Sequence, residues 1–100
     1  LSQKGEIYTI ICKDKPIGFM MFDNNSEYLN YLLGGLFPDI QDMHYGVQII
    51  AQPLDLMINL GLPMMQARVS SNNPEVISLY KYFNFSFNLN DSYYVFTFLK

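Results

Sequence analysis

One cysteine, one histidine and six basic residues are all that this chain of 100 residues holds of three kinds that often carry function. The lone Cys12 excludes a disulfide framework within the chain, and its apolar surroundings suit a small buried hydrophobe better than a nucleophile. His44 has no second histidine and no cysteine at ligand spacing, so no zinc-type centre is expected. The basic residues are scattered and outnumbered by nine acidic ones, leaving a formal net charge of -3. A chain of that sign gains nothing from counterion release on a phosphate backbone, which excludes nucleic acid as the expected partner. No uninterrupted apolar run approaches the ~18 residues of a membrane span, and no basic stretch leads into an apolar one. The expectation is a cytoplasmic protein with no membrane partner.

What the chain does have is core material. Half of its residues are hydrophobic and 16% are aromatic. Its length suits one domain, residues 1–100, at the lower end of the usual range, and a domain this small must fill its core well. It opens on Leu1 rather than Met, as a fragment would.

Alternation and β-branched residues predict a strand over 6–12, a charged turn at Lys13-Asp14-Lys15-Pro16, and a second strand over 17–22. A third strand is expected over 28–37, with the Gly34-Gly35 pair marking a bulge or a close backbone approach. From 46 to 60 the polar residues Gln48, Gln52, Asp55 and Asn59 form one narrow helical stripe, so that helix is buried on most of its circumference, with Gly61 as its C-terminal cap. Pro53 falls inside it. Either the helix spans Pro53, leaving the Ile49 carbonyl without its N–H, or it begins near Ile50 with Pro53 in its first turn. A fourth strand over 62–69 follows a helical crossover and should lie parallel to the third. Asn73, Pro74 and Glu75 start a second helix in the physically favoured order, and a hairpin around Asn90-Asp91-Ser92 closes the chain. The whole is an α/β chain of the α+β type with a mixed, mostly antiparallel sheet.

Asn73, Val76, Leu79, Tyr80 and Phe85, with Asn84 where glycine is usual, resemble the Asn-x-x-Ala-x-x-Leu-Tyr…Gly-Phe pattern of the GNAT superfamily of N-acetyltransferases. The order of elements is similar to that family's core from its second strand onward. Pro38 followed by Gln41, Asp42, Met43, His44, Tyr45 and Gly46 resembles the family's Gln/Arg-x-x-Gly-x-Gly/Ala motif, with His44 in place of the first glycine. That motif seats the pyrophosphate of acetyl-CoA on backbone N–H groups at a helix start.

The resemblance implies an acetyl-CoA-dependent transfer of acetyl to a small-molecule or peptide amine. It implies Tyr80 as the acid for the leaving thiolate, and Gln41 to Gly46 together with Asn73 as coenzyme contacts. Gly35 and Leu36 are implied to border the opening where the pantetheine arm lies. His44 either obstructs the pyrophosphate or donates a hydrogen bond to it. Tyr80 also suits an amphipathic helix packed on the sheet, and Asn73 is equally explained as a helix cap. Members of the family carry a further strand and two helices before the opening hairpin. Without them the first strand is an apolar edge, and the alternative to an enzyme is a non-catalytic module or fragment that associates through such an edge, as a homodimer does. Ile10 is the residue on that strand through which pairing is expected to be testable.

Overall fold

Two strands, β1 (Gly5–Cys12) and β2 (Lys15–Asp23), open the chain as an antiparallel hairpin. Lys13 and Asp14 turn it with φ of 53° and 64°, the left-handed pair whose twist matches that of the flanking strands. The structure is a computed structural model and describes residues 5–23, 27–40 and 45–100. β3 (Leu29–Leu36) pairs antiparallel with β2. Helix α1 (Gln48–Asn59) then crosses over to β4 (Met64–Ser70), which runs parallel to β3 as expected. Helix α2 (Pro74–Tyr82) leads to β5 (Ser86–Asn90) and β6 (Tyr93–Leu99). The last strand slots between β4 and β5, giving the order β1-β2-β3-β4-β6-β5 in one six-stranded, mostly antiparallel sheet.

Both helices lie on the same face of this sheet. Tyr31, Ala67 and Phe96 are direct cross-strand partners along β3, β4 and β6, so their side chains share a face. Tyr31 reaches Ile49 of α1, and Phe96 stacks on Tyr80 of α2 with ring centroids 4.7 Å apart. The same face carries Ile10, Met20, Phe22 and Met65 into one buried cluster with Ile50 and Met57 of α1 and Ile77 of α2. Ile10 is fully buried, which corrects its expected place on an accessible edge; Ile7 and Ile11 are the exposed isoleucines of β1. The alternation that puts Ile10 against the helices turns its neighbours outward.

Each helix ends on a left-handed residue. Gly61, with φ 73°, donates its N–H to the Ile58 carbonyl, and Leu62 donates to that of Met57. Asn84, with φ 64°, does the same for α2, donating to Lys81 while Phe85 donates to Tyr80. These are paired bonds of the Schellman type, and asparagine is the side chain that best replaces glycine there.

Of the two expectations for Gly34-Gly35, the close backbone approach is met, since Gly18 of β2 lies against the Gly35 carbonyl, and the bulge lies instead at Leu32. Met21 faces Leu33 and Phe22 faces Tyr31, so Leu32 is the extra residue, while Gly34 and Gly35 stay in register with Met20 and Phe19. The glycines answer other needs. A Cβ on Gly34 would collide with the Tyr31 phenol, and one on Gly18 with the Gly35 carbonyl oxygen. Pro53 is resolved in favour of the longer helix, since α1 starts at Gln48 and contains it. Among the described residues no helix is long and apolar enough to cross a membrane.

Candidate active site

The parallel pairing of β3 with β4 is short. It joins Leu29 to Met65, Asn30 to Gln66 and Tyr31 to Ala67, and then stops. The bulge at Leu32 follows at once, so the two strands splay. Between them lies a cleft of about 210 Å³. Leu32, Leu33 and Gly34 form one wall and Arg68, Val69 and Ser70 the other. Tyr31 and Ile49 line it too, and α2 adds Val76, Tyr80 and the Asn73 at its start.

Two phenols meet in this cleft. Tyr80 is almost wholly buried, stacked on Phe96 and edge-on to Phe85 at 4.9 Å. Loss of solvation holds its hydroxyl well above the ordinary tyrosine value, and the Tyr31 phenol adds to the effect. Burial raises the Tyr31 hydroxyl in the same way. Their protons differ in availability. Tyr31 donates its hydroxyl to the Ile49 carbonyl at 2.8 Å. The Tyr80 hydroxyl has no hydrogen-bond partner among the described residues, and it is not sealed from the cleft. Of the two, Tyr80 alone holds a proton free for a ligand.

Asn73 departs from the simple cap expected of it. It occupies the N-cap position and its carbonyl accepts the Ile77 N–H at 3.1 Å, but its side chain makes no capping bond. The carboxamide is exposed at the cleft rather than spent on the helix. No protein-family model matches the sequence, and no curated protein matches it. In structure the chain is similar to the N-acetyltransferase PseH of Campylobacter jejuni in complex with acetyl coenzyme A, with a TM-score of 0.83 at 14% identity over 99% of this chain and 70% of that one. It is also similar to the PaiA N-acetyltransferase of Thermoplasma acidophilum in complex with coenzyme A, with a TM-score of 0.78 at 15% identity over 97% of this chain and 62% of that one. The spermidine/spermine N-acetyltransferase SpeG of Vibrio cholerae gives a TM-score of 0.76 at 18% identity over 97% of this chain and 68% of that one.

The chain has the GNAT fold. Within that fold, the residues singled out in the sequence are distributed unevenly. Tyr80 and Asn73 come together in the cleft. Gly35 and Leu36 lie further along β3, beyond the residues that line it. Tyr45 and Gly46 sit in the turn that enters α1, where Ile49 donates its N–H to the Gly46 carbonyl. Gln41, Asp42, Met43 and His44 lie outside the described residues. Sequence reasoning did not find Tyr31, Arg68 or Ser70, and it singled out Gly34 only as part of the Gly34-Gly35 pair. One signal was present for Tyr31: a proline inside a helix leaves a carbonyl that a nearby donor must satisfy.

Proposed function

We propose that the chain is an acetyl-CoA-dependent N-acetyltransferase domain, acting on an amine, and that the β3–β4 cleft is its active site. The observation that carries this reading is the unspent Tyr80 hydroxyl in a cleft opened by the early end of the β3–β4 pairing. The cleft suits the coenzyme's pantetheine arm. Beyond Tyr31 and Ala67 the two strands face each other unpaired, so their backbone edges are available to the arm's amides, and Leu32, Leu33 and Val76 offer apolar contact to its methylenes. The exposed Asn73 carboxamide can both donate and accept there. By resemblance, Gln41, Asp42, Met43, His44, Tyr45 and Gly46 seat the pyrophosphate, and Gly35 and Leu36 extend the strand edge along the arm.

Bound acetyl-CoA would supply an activated acetyl group. The chain's own part is to hold a proton where the sulfur would leave. Burial keeps the Tyr80 phenol protonated, and its stack on Phe96 fixes the place of the hydroxyl oxygen. Calorimetric titration with acetyl-CoA tests the reading. Binding in the micromolar range is expected, competed by desulfo-coenzyme A; no heat at millimolar ligand overturns it.

A second reading, a module associating through its β1 edge, is favoured by the exposure of Ile7 and Ile11. One edge carbonyl is already taken, because Gln52 of α1 donates its Nε2–H to the Ile11 oxygen at 2.8 Å. Sedimentation of Ile7→Lys separates the two: a dimer that becomes a monomer supports association through this edge.

A further inference from the structure

Residues from both faces of the sheet line the cleft, and the two sides differ chemically. Ile49, Val76 and Tyr80 reach it from the helix side. Arg68 follows Ala67 on β4, and Ala67 shares the helix face with Tyr31, so Arg68 opens on the opposite face. Ser70, two residues on, shares the Arg68 side, and Leu33 shares it because its partner Met21 alternates with the inward Phe22. No described helix covers this face.

Arg68 is the single charged side chain among the described residues that line the cleft, in a protein whose net charge is -3. Among the described residues its guanidinium meets no carboxylate; it lies over the Tyr93 ring, 5.8 Å from the centroid. A ring beneath the guanidinium plane holds it in place while its in-plane N–H donors stay free. Ser70, two residues on along the same strand face, accepts the Asn72 N–H at 3.2 Å on its hydroxyl oxygen and keeps its own proton to donate. An unpaired fork of donors, a hydroxyl and an apolar wall at Leu33 form a receptor for an anionic group on the side opposite the helices. No carboxylate among the described lining residues is placed to meet a second ammonium.

On the reading that the cleft is an acetyltransferase site, we infer that Arg68 is a specificity-determining residue and that the acceptor is an amine bearing a negatively charged group, a carboxylate or a phosphate, rather than a polyamine. The anion docks on Arg68 and Ser70 at the open face, and the amine enters the cleft toward the acyl carbon. In the transfer, the amine nitrogen forms the bond to the acetyl carbon, the carbon–sulfur bond breaks, the sulfur leaves with the electron pair and takes the Tyr80 proton, and the proton shed by the nitrogen passes to water, from which the phenol regains its own.

The test uses matched acceptors with acetyl-CoA: amino acids against their amides, phosphoethanolamine against ethanolamine, and spermidine. Release of coenzyme A is followed by thiol detection, and binding of each acceptor by calorimetry on the protein saturated with coenzyme A. The acid members of the pairs are expected to exceed the neutral ones by roughly 10- to 100-fold in kcat/KM or in affinity, the range of a charge-assisted bond. The carboxylate and phosphate arms decide between the two anions. Arg68→Gln should bring the acid-to-neutral ratio close to one, acting through KM, whereas Arg68→Lys should keep part of it. Equal handling of acid and neutral partners, preference for spermidine, absence of acid binding, or an unchanged ratio in Arg68→Gln overturns the role of Arg68 while coenzyme binding still stands. Failure of acetyl-CoA to bind at all instead removes the acetyltransferase reading beneath it.

Discussion

The Tyr31 hydroxyl donates to the Ile49 carbonyl at 2.8 Å, and that carbonyl is the one Pro53 leaves without a helical partner. A strand residue thereby repairs a helix, and in doing so its phenol is laid across Gly34 in the wall of the cleft. Tyr31→Phe should cost about 0.5–1.5 kcal/mol, the net worth of a hydrogen bond to a part-buried acceptor. In a Pro53→Ala background the helix N–H returns, so the same substitution should cost much less. Urea unfolding of the four proteins gives the coupling; equal costs in both backgrounds would show that the bond does not serve the proline.

Neighbouring glycines should respond oppositely. Gly34→Ala drives a methyl into the Tyr31 phenol and should destabilise by about 1–3 kcal/mol, as overpacking does. Gly35→Ala meets only the Phe19 ring edge at 3.9 Å, and should be neutral or stabilising by up to ~1 kcal/mol. Thermal midpoints of the two variants check this directly, and a reversed order would place the close approach at the wrong glycine.

Much of the fold was legible because its signals are local. Gly61 at a helix end, Asn-Pro at a helix start and charged turn residues each report on their own few positions. The direction of β4 followed from the crossover through α1. The cleft was harder to read. Its walls meet where pairing ends after Tyr31 and Ala67, and no local pattern marks the last pair of a parallel ladder. The glycine pair misplaced the bulge: Gly34 answers to the Tyr31 phenol, folded back across it from three residues earlier, and Gly35 to the close approach of Gly18 on the neighbouring strand. Tyr80 was singled out because the pattern that carries it is local; Arg68 and Tyr31 have no such pattern.

Asn84 stands where the resembling family keeps glycine, and its φ of 64° states the requirement. Asn84→Gly should raise stability by a few tenths to ~1 kcal/mol, and Asn84→Ala should lower it by about 1 kcal/mol. Denaturant midpoints separate the two; an alanine variant as stable as the parent would mean that the cap is not strained.

Alkaline stability should follow the buried phenols. Tyr80 and Tyr31 are both raised above the ordinary value of 10.0 in the folded chain. The folded state therefore keeps protons that the unfolded chain loses above that value. Their contribution is complete below pH 10 and is lost as pH rises through the folded values. Urea midpoints measured from pH 7 to 11 should be level at first and fall beyond ~10. Tyr80→Phe should soften the fall, and a parent midpoint level to pH 11 would contradict the burial of these hydroxyls.

Activity should depend on the Tyr80 proton and not on its titration. Because burial raises this phenol, it stays protonated throughout the neutral and mildly alkaline range, so no loss of kcat below pH 9 should trace to its ionisation. The same shift makes it a weak acid, suited to hydrogen-bonding a departing thiolate more than to releasing the proton early. Phenylalanine preserves the stack on Phe96 and the edge contact with Phe85, so Tyr80→Phe removes the proton with little change to the packing. Turnover should fall by about 10²-fold while acetyl-CoA affinity holds, with the effect in kcat. A good leaving thiol tests the role further: an acetyl donor whose thiol is more acidic needs less help, and the gap between parent and variant should narrow with it. A variant that turns over at the parent rate with both donors would leave Tyr80 as a packing residue and nothing more.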